Sequence, residues 1–188
     1  MTLRFVTGNE GKVREVEALL DAPVEQVAFD YVEPQTETLE AIAISGAVEA
    51  FAHLPGESPV IVEDSGLFIE TLDGFPGPYS AFVEGTLGIE RVWHLVETEV
   101  DRSARFESVV GFADGRSVHT FVGRVAGSIV APRGTGGFGY DPIFEVDGRT
   151  FAERSIEDKN ALSHRARAFE AFARWYADYD RGSASGPG

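Results

Sequence analysis

Cysteine is absent from the 188-residue chain. That excludes a disulfide framework, a thiolate zinc site and a cysteine nucleophile. Lysine is almost absent too: fourteen of the sixteen cations are arginine, leaving only Lys12 and Lys159. No apolar run approaches the ~20 residues of a membrane-spanning helix. The first residues lack the basic-then-apolar layout of a signal peptide. A soluble, cytoplasmic protein without a membrane partner is expected. Positive charge is scarce overall, and a net charge of −15 argues against a nucleic-acid partner, whose phosphates require clustered Lys and Arg. The acid is spread along the chain and reads as a solvated surface, of the kind a salt-rich cytoplasm favours. On such a surface, the two lysines that remain become candidates for function.

The chain is 43% hydrophobic and long enough for one domain with a real core. A single domain over residues 1–180 is expected, followed by a small, polar and disordered tail at 181–188. "LRFVT" reads as a strand, and "GKVREVEALLD" as a helix with Val13, Val16, Leu19 and Leu20 on one face. "VEQVAFDY" alternates like a strand, and "TLEAIAISGAVEAFAHL" has helical composition up to Pro55. "SPVIVEDSGLFIE" reads as an apolar strand interrupted by "EDSG". "GIERVWHLVETEV" is helical, and two strands about "DG" predict a hairpin between Ala104 and Val130. "APRGTGGFGYDPIF" is a Gly-rich loop entering a strand. A closing helix follows Ser163 as its cap. The fold class is α/β with a mixed sheet.

Four stretches can carry chemistry. "TGNEGK" (Thr7 to Lys12) lies between a strand and a helix, where free N–H groups and the positive helix end face whatever lies above. It departs from the P-loop pattern, with two residues between its glycines and Val13 after the lysine. It reads equally as a phosphate cradle or an ordinary turn. In "VEDSGL", Glu63 and Asp64 are adjacent carboxylates at a strand end, suited to a turn or to Mg²⁺, which is often held by one or two carboxylates and substrate phosphates. Glu33 lies before Pro34, outside any helix. In "GTGGFGYDP", Phe138 and Tyr140 among glycines can meet a planar base. In "KNALSHR", Lys159, His164 and Arg165 form a cationic group at a helix start, where the macrodipole disfavours it. Together these parts describe a nucleotide site with separate phosphate and base ends.

"TGNEGKVREV", "VEDSGLFIETLDGFPGPYS", "GFGYDPIF" and "EDKNALSHRARA" closely resemble the Ham1-type inosine/xanthosine triphosphate pyrophosphatases, in the same order from about Thr2 to Tyr179. The resemblance implies a long mixed central sheet between two α/β lobes with a nucleotide cleft, and a homodimer. It implies Mg²⁺-dependent hydrolysis of ITP, dITP and XTP to the monophosphate and pyrophosphate, cleansing the nucleotide pool. It places Thr7, Gly8, Asn9, Glu10, Gly11 and Lys12 on the triphosphate, and Glu33 and Asp64 on the metal. It makes Asp64 the proton acceptor with Ser65 beside it on the substrate. Phe138, Gly139, Tyr140 and Asp141 line the nucleoside, with Phe138 stacking. Lys159, His164 and Arg165 stand at the base end. Two positions depart from the family pattern. Ser45 stands where many members carry lysine, and Glu63 where several have aspartate. A pyrophosphatase of the related Maf type is a minor alternative, because its N-terminal Ser- and Arg-rich signature has no equivalent here. A nucleotide-binding regulatory module is another alternative, against which Asp64 and Glu33 argue.

Overall fold

The computed structural model describes residues 2–9, 12, 13, 16, 20 and 24–183, the last four by backbone alone. Glu10, Gly11 and Leu19 lie outside the described residues. Among the described residues, eight strands form one mixed sheet in the order β2-β1-β3-β5-β6-β7-β8, with β4 beside β3. The short β1 (Leu3–Val6) runs parallel to β2 (Val24–Val27) and to β3 (Val60–Ile69). Strands β3, β5 (Ser103–Ala113) and β6 (Val118–Ile129) are 10, 11 and 12 residues long and antiparallel. They form the spine on which both lobes are built. The expected hairpin turns at residues 114–117, where Gly115 takes φ +81°, a conformation glycine adopts without steric cost.

Period-2 alternation divides the core. Leu3, Phe5 and Ile61 face helix α5 (His164–Ser183), whose Ala168, Phe169 and Phe172 are buried against them. Val16 is buried in this same cluster, with Val13 and Leu20 packed against it. Val6, Val60 and Val62 face the opposite way, onto Ala47 and Ala50 of α1 (Leu39–His53). The far ends of β3, β5 and β6 carry a second lobe. There Leu67, Phe106 and Val125 pack with α2 (Ser80–Leu87), α3 (Ile89–Val96) and the segment through β4 (Pro76–Gly77) and β7 (Phe144–Val146) to β8 (Arg149–Thr150). Fully buried aromatics such as Phe5, Phe112 and Phe144 each contribute about 2–3 kcal/mol relative to exposure. Among the described residues, no helix is long and apolar enough to cross a membrane.

Four expectations need correction. The strand at "VIVEDSGLFI" is not interrupted: Glu63, Asp64 and Ser65 pair in register with Val110, Val109 and Ser108. A long antiparallel partner keeps the polar residues in the strand, so the two carboxylates sit mid-strand rather than at its end. Lys159 does not stand at the start of the closing helix beside His164 and Arg165. It belongs to a short α4 (Ile156–Leu162), capped by Ser155 through Asp158 N. The chain breaks at the extended Ser163, whose Oγ accepts from Ala166 N as the expected cap of α5. The alternating "VEQVAFDY" forms a strand only over its first four residues. Helix α5 runs on to Ser183, three residues into the stretch expected as a tail, and residues 184–188 lie outside those described.

Candidate active site

β1 pairs with β3 only through Val62, and β4 joins the same edge of β3 at Leu67. The residues between, 63–66, face an open gap beyond the carboxyl end of β1, where ligands bind in open α/β sheets. Gly66 makes the far side of this gap close: a Cβ there would sit 2.3 Å from the Gly77 carbonyl oxygen. The gap opens into a cleft of about 420 Å³, within the range of small-ligand sites.

The loop after β1 forms one wall. Thr7 N bonds to the Val27 carbonyl, and Thr7 Oγ1 accepts from Asn9 N at 3.1 Å. Asn9 Oδ1 accepts from Lys12 N at 3.3 Å, and Val13 N bonds to the Asn9 carbonyl. Asn9 therefore caps a helical turn, and this fixes where Lys12 begins. The Lys12 ammonium lies 2.8 Å from Glu63 Oε2 and donates to the Glu63 carbonyl at 3.1 Å.

The opposite wall is cationic and aromatic. Lys159 pairs with Asp141 Oδ2 at 2.8 Å and stands 4.2 Å from the Phe138 ring centroid. Asp141 Oδ2 also accepts from Phe138 N at 2.8 Å, so it shapes the loop whose exposed aromatic is Phe138. Tyr140 is buried and donates to the Ser80 carbonyl at 2.8 Å. Arg165 Nε lies 3.3 Å from Glu63 Oε1, and its Nη2 donates to Ser65 Oγ at 3.4 Å. His164 is stacked on Phe106 with ring centroids 4.7 Å apart. Gly123 seats this helix start: a Cβ there would meet the His164 carbonyl at 2.0 Å.

The electrostatics separate the two adjacent carboxylates. Burial disfavours an ionised Glu63, but the charges of Arg165 and Lys12, with hydrogen bonds from Lys12 and Ser108, outweigh it and hold the group well below the usual range. Asp64 goes the other way. Burial pushes it up to about 7; Lys12 opposes the shift, while Glu63 and Glu33 add to it. Burial, then Asp64, Glu33 and Glu63, also raise Tyr31, so these acids converge on one side of the cleft. His164 is held neutral by burial and by Arg165, and its buried Nδ1 has no hydrogen-bond partner.

The structure brings Thr7, Gly8, Asn9, Lys12, Glu33, Asp64, Ser65, Phe138–Asp141, Lys159, His164 and Arg165 to one cleft. Sequence reasoning missed Tyr31, Ser80, Glu84 and Phe106, which also line it. Tyr31 could have been found as the residue two before Glu33 on the extended stretch after β2. Ser45 is not in the lining. The cationic lining is Lys12, Lys159 and Arg165 among the described residues. Within those residues, no three or more His, Cys, Asp or Glu converge as a metal cage. The donor chemistry on offer is two hard carboxylates, Asp64 and Glu33, with Asp64 under-neutralised. That set fits Mg²⁺, which keeps waters and takes further oxygens from substrate phosphates.

Fold and cleft together describe a two-lobed α/β protein in which a capped anion loop faces buried acids across a groove closed by an aromatic and cationic end. The chain belongs to the Ham1 family, whose model matches residues 3–175. It is 50% identical over 184 residues to the dITP/XTP pyrophosphatase of Methanopyrus kandleri, covering 94% of this chain and 96% of that protein. It is 47% identical over 181 residues to the dITP/XTP pyrophosphatase of Thermococcus kodakarensis, covering 93% and 97%. Among solved structures, the Ham1 protein of Staphylococcus aureus superposes with a TM-score of 0.84 at 29% identity, covering 95% of this chain and all of that one. The family resemblance and the long mixed sheet expected from sequence are both borne out.

Proposed function

We propose that this protein is a Mg²⁺-dependent pyrophosphatase of non-canonical purine nucleoside triphosphates. It converts ITP, dITP and XTP to the monophosphate and pyrophosphate, acting as a homodimer in the cytoplasm and clearing these nucleotides from the pool. The relatives named dITP/XTP pyrophosphatase, near half identical over almost the whole chain, support this reading. The observation that carries it is Asp64: a half-buried carboxylate raised to about 7, in the gap of β3 and flanked by Lys12 and Glu33. A group titrating near neutrality suits a general base.

In this reading the capped loop of Thr7, Gly8 and Asn9, with Glu10, Gly11 and Lys12, holds the triphosphate. Asp64 orients a water and accepts its proton as the water oxygen attacks phosphorus and the bond to the pyrophosphate oxygen breaks. Lys12 meets the charge that develops on the leaving pyrophosphate. Glu33 and Asp64 would hold Mg²⁺, which when bound supplies further positive charge to the phosphate oxygens. At the other end Phe138 stacks on the base, while Arg165 and His164, whose Nδ1 lacks a hydrogen-bond partner, face its edge, with Lys159 beside them. Arg165 can donate to the O6 of a 6-keto purine. Adenine presents an amino group there, leaving a buried donor unpaired at a cost of about 1–3 kcal/mol.

Pyrophosphate release is measured with ITP, XTP, dITP, GTP and ATP, with and without Mg²⁺. Metal-dependent release favouring the first three is the expected outcome. Binding of ITP without turnover would instead establish a regulatory nucleotide-binding module, and light scattering checks the dimer.

A further inference from the structure

One buried carboxylate in the cleft has no part in the chemistry above. The Glu63 side chain is fully shielded from solvent, and its two oxygens are divided between two cations. Oε2 faces the Lys12 ammonium at 2.8 Å, and Oε1 lies 3.3 Å from Arg165 Nε. Ser108 Oγ, from β5, donates to Oε1 at 2.6 Å. The main-chain carbonyl of Glu63 accepts from Lys12 as well. The ammonium is thus held against both the side chain and the main chain of Glu63. Lys12 belongs to the phosphate wall and Arg165 to the base wall, and a single carboxylate holds both.

We infer that Glu63 is a positioning residue that couples the base end of the cleft to its phosphate end, so that a mismatched base is penalised at the phosphates. The inference rests on the nucleotide reading proposed above. Glu63 lies in mid-strand, in register with Val110, and Ser108 behind it is fully buried. Packing this dense transmits a displacement rather than absorbing it. A 6-keto oxygen accepts from Arg165 where the guanidinium already stands. A 6-amino group presents hydrogens to it and displaces it. That shift passes through Oε1 and Oε2 to Lys12, and a misplacement of ~1 Å at the reacting end can cost about 10²-fold in rate. Discrimination between ITP and ATP therefore falls on kcat more than on KM.

The test compares kcat and KM for ITP and ATP at one Mg²⁺ concentration in wild type, Glu63→Gln and Ser108→Ala, with folding checked by circular dichroism. In wild type the two substrates should differ mainly in kcat. Glu63→Gln should lower kcat for ITP roughly tenfold or more without raising KM, and shrink the ITP:ATP ratio of kcat/KM by a similar factor. Ser108 lies outside the cleft lining, so it acts only through Glu63. Ser108→Ala should move both quantities the same way by about threefold, and it decides the matter should Glu63→Gln not fold. A folded variant with wild-type kcat and ratio, or one losing ITP and ATP turnover equally, overturns the coupling while leaving the activity standing. A wild-type protein that releases no pyrophosphate from ITP overturns both.

Discussion

Asp64 shows how a single residue can serve the reaction at the expense of the fold. Its pKa is raised from 3.8 to about 7. Between those values the folded state binds more protons than the unfolded state. Stability from this group is thus fully present below about 4 and lost as pH rises through 7. At about 1.4 kcal/mol per unit, the cost of ionised Asp64 at pH 8 without metal is about 2–4 kcal/mol. Asp64→Asn should therefore reduce ITP turnover by roughly 10²-fold or more and yet raise the Tm of the metal-free protein at pH 8, with a much smaller gain at pH 5. Calorimetry at both pH values checks the sign; an Asn variant less stable than wild type at pH 8 would refute the buried-charge account. Mg²⁺ should stabilise wild type and not the variant. Arg165 is tested by specificity rather than stability. Arg165→Ala should narrow the gap in kcat/KM between ITP and ATP by ~2 kcal/mol, chiefly by slowing ITP. Equal proportional losses for ITP, XTP, GTP and ATP would place Arg165 on the phosphates or in packing.

At the scale of elements, the base wall depends on how closely α5 approaches β6. Gly123 has no room for a side chain: its Cβ would lie 2.0 Å from the His164 carbonyl and 2.4 Å from Ala168 N. Both are backbone atoms of a helix that cannot yield. Gly123→Ala should cost about 3 kcal/mol, a fall in Tm of ~6–12 °C for a chain of this size, and should displace His164 and Arg165. A Tm within 2 °C of wild type, in the same calorimeter, would show that α5 slides freely. Features set by local chemistry were legible in the sequence, among them the "DG" hairpin, the Ser163 cap and the apolar face of α5, whereas the cap that Asn9 Oδ1 makes on Lys12 N was not anticipated. The rest of what was not legible depends on partners far away. Glu63 and Asp64 stay in strand because β5 pairs with them across some forty-five residues. Adjacent residues of a strand point to opposite faces, so side-by-side acids acquired different surroundings: Lys12, Arg165 and Ser108 for Glu63; Glu33 and Tyr31 near Asp64. Their spacing alone held no sign of that division.

The molecule as a whole carries 31 acidic residues against 16 basic ones, and most of that charge faces water. Self-repulsion of this size destabilises a compact state, and it opposes the approach of a polyanionic substrate. Both effects act between exposed charges and are screened as the Debye length falls from ~10 Å at 0.1 M salt to ~3 Å at 1 M. The site's own pairs are shielded differently. Lys12–Glu63, Arg165–Glu63 and Lys159–Asp141 each have at least one partner almost wholly buried, and buried pairs are screened far less. Salt should therefore relieve the repulsion without dissolving the cleft. The expected result is a Tm that climbs between 0.1 and 2 M KCl, with kcat/KM for ITP holding or rising over the same range. Potassium sulfate should stabilise more than chloride, because it also strengthens apolar burial. Phosphate contacts in the cleft pull the other way, since anions compete for Lys12. A tenfold fall in kcat/KM by 2 M KCl would show that this competition dominates, and that the acidic surface is not an adaptation to salt.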